Sequence, residues 1–470
     1  MNTKSLKQKI LDLAIRGKLV PQDPNDEPAS VLLQRIRAER EQLIVQGKIK
    51  RTKTTSDNQH YENVPFEIPA SWEWVRLEDV VMAVTDGDHQ PPPQASEGVP
   101  FLVISDVNTG RINFENARFV SKSYYDSLPY VRKAVEGDIL FTVTGSYGIV
   151  INVDTQRDFC FQRHIGLIKT ILCSQWLTMA LQSQYVKQYC DDIATGTAQK
   201  TVSLGFLRAL YIPIPPLAEQ VRIVNEIEEW FKCIEEIEKE TIVLQDIVRQ
   251  AKSKILSLAI SGKLVTQDPN DEPAIDLLRR INPAFNPCNT SHYENLPQGW
   301  TICKLNEIAK ISAGGTPARG NARYWTGGNI PWLKIADITT GGKYVTNASE
   351  YITAEGLKNS SAKLMKKGTL LYTIFASIGE VAILGMDSTC NQAIANIELY
   401  AHEMTDYIFF FLKNLQSYMY SISKGCTQSN INLSILKNII IPVPPLAEQK
   451  RIATKLEDIF SQIDSITAEL

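Results

Sequence analysis

The chain has 470 residues, 44% of them hydrophobic and 21% charged, with a net charge of −3. That balance describes ordinary globular domains, about three on length alone, and excludes a disordered chain. The opening MNTKSLKQKILDLAIRGKL is too charged for a secretory signal, and apolar runs such as Ile408 to Leu412 fall far short of the ~20 residues that cross a bilayer, so a cytoplasmic protein is expected.

In chain order, residues 1–60 form a first helix-and-linker segment with 12 basic against 7 acidic residues. Within it, Lys9 to Val20 reads KILDLAIRGKLV and Gly17 to Ala29 reads GKLVPQDPNDEPA. Residues 61–215 follow as a first α/β domain: short β-branched runs such as Phe101–Ile104, Ile139–Val143 and Ile165–Ile168, then one helix predicted over Gln175–Ile193. Its polar loop TDGDHQPPPQ (Thr85–Gln94) places Asp88, His89 and Gln90 together. Asp86, Asp88 and His89 in so Gly/Pro-rich a stretch are read as turn formers or binders of a polar ligand rather than metal ligands. Arg163 and His164 beside a predicted strand, and Gln199 and Lys200 in the GTAQKT segment, complete the candidate ligand-contacting set of this domain.

Residues 216–299 open after IPIPPLAEQ (Ile212–Gln220) with a pattern free of Pro and Gly from Leu217 to about Ile260. Val224, Ile227, Phe231, Ile234, Ile237, Thr241, Leu244, Val248, Ala251, Ile255 and Leu258 step by threes and fours, a heptad seam that needs a partner helix. Gly262 is the expected stop, and it begins GKLVTQDPNDEPA, a second copy of the run at Gly17 that differs only in Thr266 for Pro21. Residues 300–445 form a second α/β domain, with a helix predicted over Thr405–Ser423. Its divergent loop SAGGTPAR carries Gly314, Gly315, Thr316 and Arg319, with Arg323 and Lys334 close behind. Then IPVPPLAEQ recurs at Ile441–Gln449, and residues 446–470 repeat the start of the seam through Leu456, Phe460 and Ile463.

A unit used twice, about 230–245 residues apart, is too long for a stacked array and suits a molecule that touches two similar things at a fixed distance. DNA is the obvious two-part ligand. Arg319 or Arg323 has the fork that fits guanine, and Gln90, Gln392, Gln428 or Asn430 has the paired donor and acceptor that fit adenine. The Gly314 and Gly315 amides are candidates for phosphate oxygens. Against this stand the negative net charge and segment charges of only +5 for residues 1–60, −5 for 61–215, −5 for 216–299 and +4 for 300–445, so a partner must supply phosphate contacts. The terminal segment lacks the continuation KILSLAISGKLV that the central helix carries, and Lys9–Val20 supplies it; the N- and C-terminal helices are therefore expected to make up a second strut, antiparallel to the central one, the alternative being an independent helix that caps each domain.

No catalytic centre is legible. His402-Glu-Met-Thr-Asp406 lacks the second histidine of a zinc helix, Asn282-Pro-Ala-Phe285 lacks the second proline of a methyltransferase motif, and no Gly-rich Lys-Ser/Thr phosphate cradle exists. Eight cysteines without any C-x-x-C pair read as free thiols rather than metal ligands.

The doubled P-x-P-P-L-A-E-Q-x-x-I with its long helix, the P-x-x-W motif and GGTP…Pro331-Trp332 resemble the specificity subunits of type I restriction–modification systems, over nearly the whole chain. The resemblance implies two target-recognition domains, each reading half of a split DNA site, held apart by paired helices. It implies two methyltransferase subunits as partners, which bring S-adenosylmethionine, and restriction subunits, which bring ATP and Mg. No cofactor, metal or catalytic residue is then expected in this chain, and no membrane. The alternative is a non-catalytic two-domain binding scaffold with a coiled-coil spacer.

Overall fold

The computed structural model describes residues 2–49, 64–196, 199–287, 295–424 and 431–469. The chain divides into two units, Met1–Glu240 and Thr241–Leu470, and the division falls inside a single helix, Leu217–Ile260. At about 1.5 Å per residue those 44 residues run about 66 Å.

Unit 1 begins with a helix at Thr3–Ile15 and a second at Ala29–Val45. Among the described residues the strands that follow are β1 (Glu73–Arg76), β2 (Val81–Asp86), β3 (Val99–Leu102), β4 (Arg118–Val120), β5 (Ile139–Thr142), β6 (Val150–Asn152), β7 (Cys160–Phe161), β8 (Ile165–Thr170) and β9 (Tyr211–Ile214). They form a four-stranded sheet β2-β8-β5-β6, a three-stranded sheet β4-β3-β7 and the pair β1-β9. Strands β5 and β8 are buried nearly throughout, which is why their sequences read as unbroken apolar runs instead of alternating ones.

Unit 2 repeats the plan with β10 (Thr301–Lys304), β11 (Ala309–Ala313), β12 (Ile330–Leu333), β13 (Tyr344–Val345), β14 (Glu350–Ile352), β15 (Leu370–Thr373), β16 (Val381–Leu384), β17 (Thr389–Cys390), β18 (Ile394–Leu399) and β19 (Ile440–Val443). Its sheets are β11-β18-β15-β16-β13, β14-β12-β17 and β10-β19, so β13 is an addition at the edge of the larger sheet. In both units the short strand before the last long one, β7 or β17, pairs in parallel with β3 or β12.

Each predicted late helix is two helices. Gln175–Ile193 is Ser174–Leu181 followed by Gln184–Ile193, with the Ser183 hydroxyl accepting from the Val186 amide at the new N-terminus. Thr405–Ser423 is Thr405–Asn414 and Gln416–Lys424. Ser183 lies inside the apolar period and caps a new helix there.

The repeated motifs meet in space, once per unit. Glu219 of the first PPLAEQ is buried and accepts from Trp72 Nε1 at 2.9 Å and from Gln22 of the first GKLV run. Glu448 of the second accepts from Trp300 Nε1 at 3.0 Å and Gln267 Nε2 at 2.9 Å. Arg222 pairs with Asp26 at 2.5 Å, and Arg451 with Asp271 at 2.6 Å. Gln220 and Gln449 each donate to a proline carbonyl at 2.9 Å. Gly17 and Gly262 turn with φ of +66° and +68°, and a Cβ on either would lie 2.3 Å from a proline ring. Burial raises the Glu219 carboxyl above its ordinary value, and the Trp72 and Gln22 hydrogen bonds oppose the rise.

The helices follow the same rule. In unit 1 the N-terminal helix runs antiparallel to the first half of the central helix: Lys7 bonds Glu238 at 3.3 Å and lies over Phe231, while Gln22, beyond the helix end, reaches Glu219. In unit 2 Lys252 pairs with Asp464 and lies over Phe460, and Gln267 reaches Glu448. Leu11, Ala14 and Ile15 are buried in one core as Leu256, Ala259 and Ile260 are in the other. The central helix is thus the closing helix of one copy fused to the opening helix of the next. Of the predicted seam, Val224, Ile227 and Ile234 are buried in unit 1 with Phe231 against them; Leu456 is buried in unit 2 with Ile255 and Phe460 against it. Leu244 and Val248 are half-buried, and so is Ile463.

Candidate nucleic-acid interface

In unit 1 the divergent loop leaves β2 through Gly87, which crosses β7 so closely that a Cβ would lie 1.9 Å from the Phe161 carbonyl oxygen. The Asp88 amide donates to Phe161 O at 3.0 Å, and the Arg163 amide donates to Asp88 O at 3.0 Å. The Val143 amide donates to His164 O at 2.9 Å, and Gly145 to Lys200 O at 3.0 Å. One run of backbone hydrogen bonds therefore gathers the loop at Asp88, the turn at Arg163–His164, the β5–β6 connection and the segment at Lys200. His89, Gln90, Arg163, Gln199 and Lys200 are exposed there. The Asp88 carboxylate is held by Arg132 at 2.8 Å and His89 stands 3.0 Å from Asp86. Arg163 Nε donates to His164 Nε2 at 3.3 Å. Burial, and then the neighbouring Arg163 charge, push the His164 pKa below the usual histidine value, so its ring is a neutral acceptor.

Unit 2 builds the same frame with other side chains. The Gly314 amide donates to Ile394 O at 3.0 Å and the Gly315 amide to Cys390 O at 2.9 Å. Both amides are used inside the protein, which corrects the expectation that they take phosphate oxygens. These glycines serve close approach: a Cβ on Gly314 would lie 2.3 Å from Asn391 O, and one on Gly315 2.3 Å from Ser361. Thr316 Oγ1 donates to Gln392 Oε1, so two candidates distant in sequence are joined.

Arg319 is paired with Glu350 and stacks on Trp325 and Trp332, 3.9 and 4.5 Å from the ring centres. Lys334 completes the cluster at 2.7 Å from Glu350. The Arg319 hydrogen bond, then that of Lys334, hold the Glu350 carboxyl below its ordinary value. Arg319 is a clamped cation here, its Nη1 held by Glu350 and its guanidinium plane by the two indole rings. The cluster borders an open notch of about 440 Å³ that Tyr351 and Gly328 also line. Arg323 stands apart, exposed on the turn Ala322–Tyr324. Gln428 and Asn430 lie outside the described residues.

Gly87, Arg132 and Glu350 belong to these clusters and carried no sequence signal of their own. Gly87 was findable, since it stands where Gly314 stands in the other copy. Arg132 and Glu350 arrive from turns and strands far along the chain, which only the fold brings in. Among the described residues no three His, Cys, Asp or Glu side chains are grouped to hold a metal ion. No described helix is long and apolar enough to cross a membrane.

The profile described as "Type I restriction modification DNA specificity domain" matches residues 69–245 and again 297–470. The EcoEI specificity subunit of Escherichia coli is 28% identical across 99% of this chain and 90% of its own length. The EcoAI specificity subunit of Escherichia coli is 27% identical across 98% of this chain and 90% of its own. A chain solved in work on "complex assembly and conformational transition of the type I R-M system" superposes with a TM-score of 0.63, at 20% identity, over 86% of this chain and 94% of that one.

Proposed function

The chain belongs to the type I restriction–modification DNA specificity family as a non-catalytic specificity subunit, and from that premise we propose that it reads a two-part DNA site and positions methyltransferase subunits on it. The observation that carries the reading is one loop cluster built twice on one backbone frame with different exposed side chains. Two copies with equal side chains would read one sequence twice; these read two. The cluster with Arg163 and His164 faces one half-site, and the cluster with Gln392 and Thr316 faces the other.

Partner docking has its own support. The central helix exposes Leu217, Val221 and Trp230 in unit 1, and Ile242, Val243 and Ile247 in unit 2, apolar side chains that the pairing helices leave uncovered. Methyltransferase subunits seated there would bring S-adenosylmethionine and methylate adenine, and restriction subunits would add ATP-driven cleavage with Mg. The test is co-expression with an adenine methyltransferase subunit followed by mapping of methylated adenines. A motif of two fixed parts around an unspecified gap of constant length is expected; a single continuous motif, or no stable complex, overturns the reading in favour of a plain binding scaffold.

A further inference from the structure

The turn after the short parallel strand is held by three matching backbone hydrogen bonds in both units. Gln162 donates to Leu102 O in unit 1 and Asn391 to Leu333 O in unit 2, each at 3.0 Å. Val143 donates to His164 O and Ile374 to Ala393 O, each at 2.9 Å. The turn then closes through Ile165 to Gln162 O at 3.0 Å and Ile394 to Asn391 O at 3.3 Å. This register makes Arg163 and Gln392 equivalent, and both are exposed. No backbone demand explains why one is a cation and the other an amide, since the frame is the same.

We propose, resting on the two-part DNA reading, that this turn is the base-reading position of both units: Arg163 reads a guanine in one half-site and Gln392 an adenine at the corresponding place in the other. Each side chain is oriented by one hydrogen bond to a neighbour. Arg163 Nε is taken by His164 Nε2 at 3.3 Å, which leaves Nη1 and Nη2 to fork onto guanine O6 and N7. The neutral His164 ring is what permits it to accept. Gln392 Oε1 accepts from Thr316 Oγ1, which leaves its second lone pair and the Nε2 hydrogens for adenine N6 and N7. His164 and Thr316 are positioning residues. Arg319, an exposed cation of unit 2, is by contrast already paired with Glu350 through Nη1.

The experiment uses the full chain in complex with its methyltransferase partner and a pool of randomised DNA duplexes, with the bound fraction sequenced. The wild-type complex must first select a two-part site; if it does not, the functional reading fails whatever the variants do. Arg163→Gln should turn one G·C preference in one half-site towards A·T, and Gln392→Arg should do the reverse at the matching place in the other. Each variant should lose about tenfold or more in discrimination at that base pair, while the unaltered half-site and the gap stay as they were. Continued selection of that unaltered half-site reports a folded complex. Thr316→Val should weaken the adenine preference without creating a new one, whereas a purely structural threonine would leave the profile unmoved. An unchanged base profile overturns the proposal. So does a uniform loss of affinity for all sequences with a shallower salt dependence, which marks a phosphate contact.

Discussion

Lys169 and Asp138 are the most completely buried ion pair in the described residues, 2.6 Å apart with side chains 1% and 5% exposed. Lys169 is the next-to-last residue of β8, in a run that otherwise reads as pure core, and its ammonium also donates to Lys133 O. Burial raises the Asp138 carboxyl above its ordinary value while Lys169 pulls it back. Removing the lysine as Lys169→Met strands that carboxylate and should cost about 3–5 kcal/mol, the usual penalty for breaking a buried pair. The sign with pH is fixed. The folded variant binds a proton that the unfolded chain has released, so its deficit is largest near neutrality and shrinks as pH falls through the raised folded value. Denaturant unfolding at several pH values measures both; a loss under 1 kcal/mol that is flat with pH would rule the account out. The pair itself was invisible in sequence, because a lysine in an apolar run signals an edge or an error until a partner 31 residues away is in view.

Elements were far more legible than contacts. The central helix spans the Leu217–Ile260 stretch expected from an unbroken seam, because 44 residues without Pro or Gly leave the backbone little else to do. The two late helices were each read as one because heptad-like spacing continues through Gln182–Ser183 and Leu415, and a cap is a local event that periodicity does not register. Candidate site residues were chosen by chemistry; the loops that carry Asp88 and Arg163 meet in unit 1, and those that carry Thr316 and Gln392 meet in unit 2. What failed was the use of backbone amides at Gly314 and Gly315, whose pairing depends on where β17 and β18 lie. The central helix also makes a quantitative claim. Seven residues inserted between Glu240 and Thr241, keeping the seam in phase, add about 10.5 Å, which is about three base pairs of B-form DNA. Methylation mapping should show both half-sites kept and the gap widened by about that amount. An unchanged gap would mean that the helix does not set the spacing.

For the molecule as a whole, charge decides what it does alone. The net charge is −3, and the 61–215 segment is itself −5. DNA affinity is dominated by phosphates neutralised, each adding close to one unit of salt slope. The isolated chain should therefore bind a duplex weakly and with little dependence on salt, and specific binding should appear with a steep salt slope once the methyltransferase subunits are present. Titration of labelled duplex at two salt concentrations, with and without the partner, reads this directly. Tight site-specific binding by the chain alone would show that its own side chains carry the affinity.

The duplicated clamp has a genetic side. The two GKLV-QDPNDEPA runs begin at Gly17 and Gly262, about 245 residues apart, and differ at one position of thirteen. Where coding DNA is as alike as the protein it encodes, such runs invite crossing-over. The loop-out product would join the N-terminal helix directly to the second GKLV run. Leu11, Ala14 and Ile15 would then fall where Leu256, Ala259 and Ile260 lay, so the surviving copy keeps a full core and a full Glu448 clamp. A recombination accident at this junction would leave one complete clamp and core in place of a broken remnant.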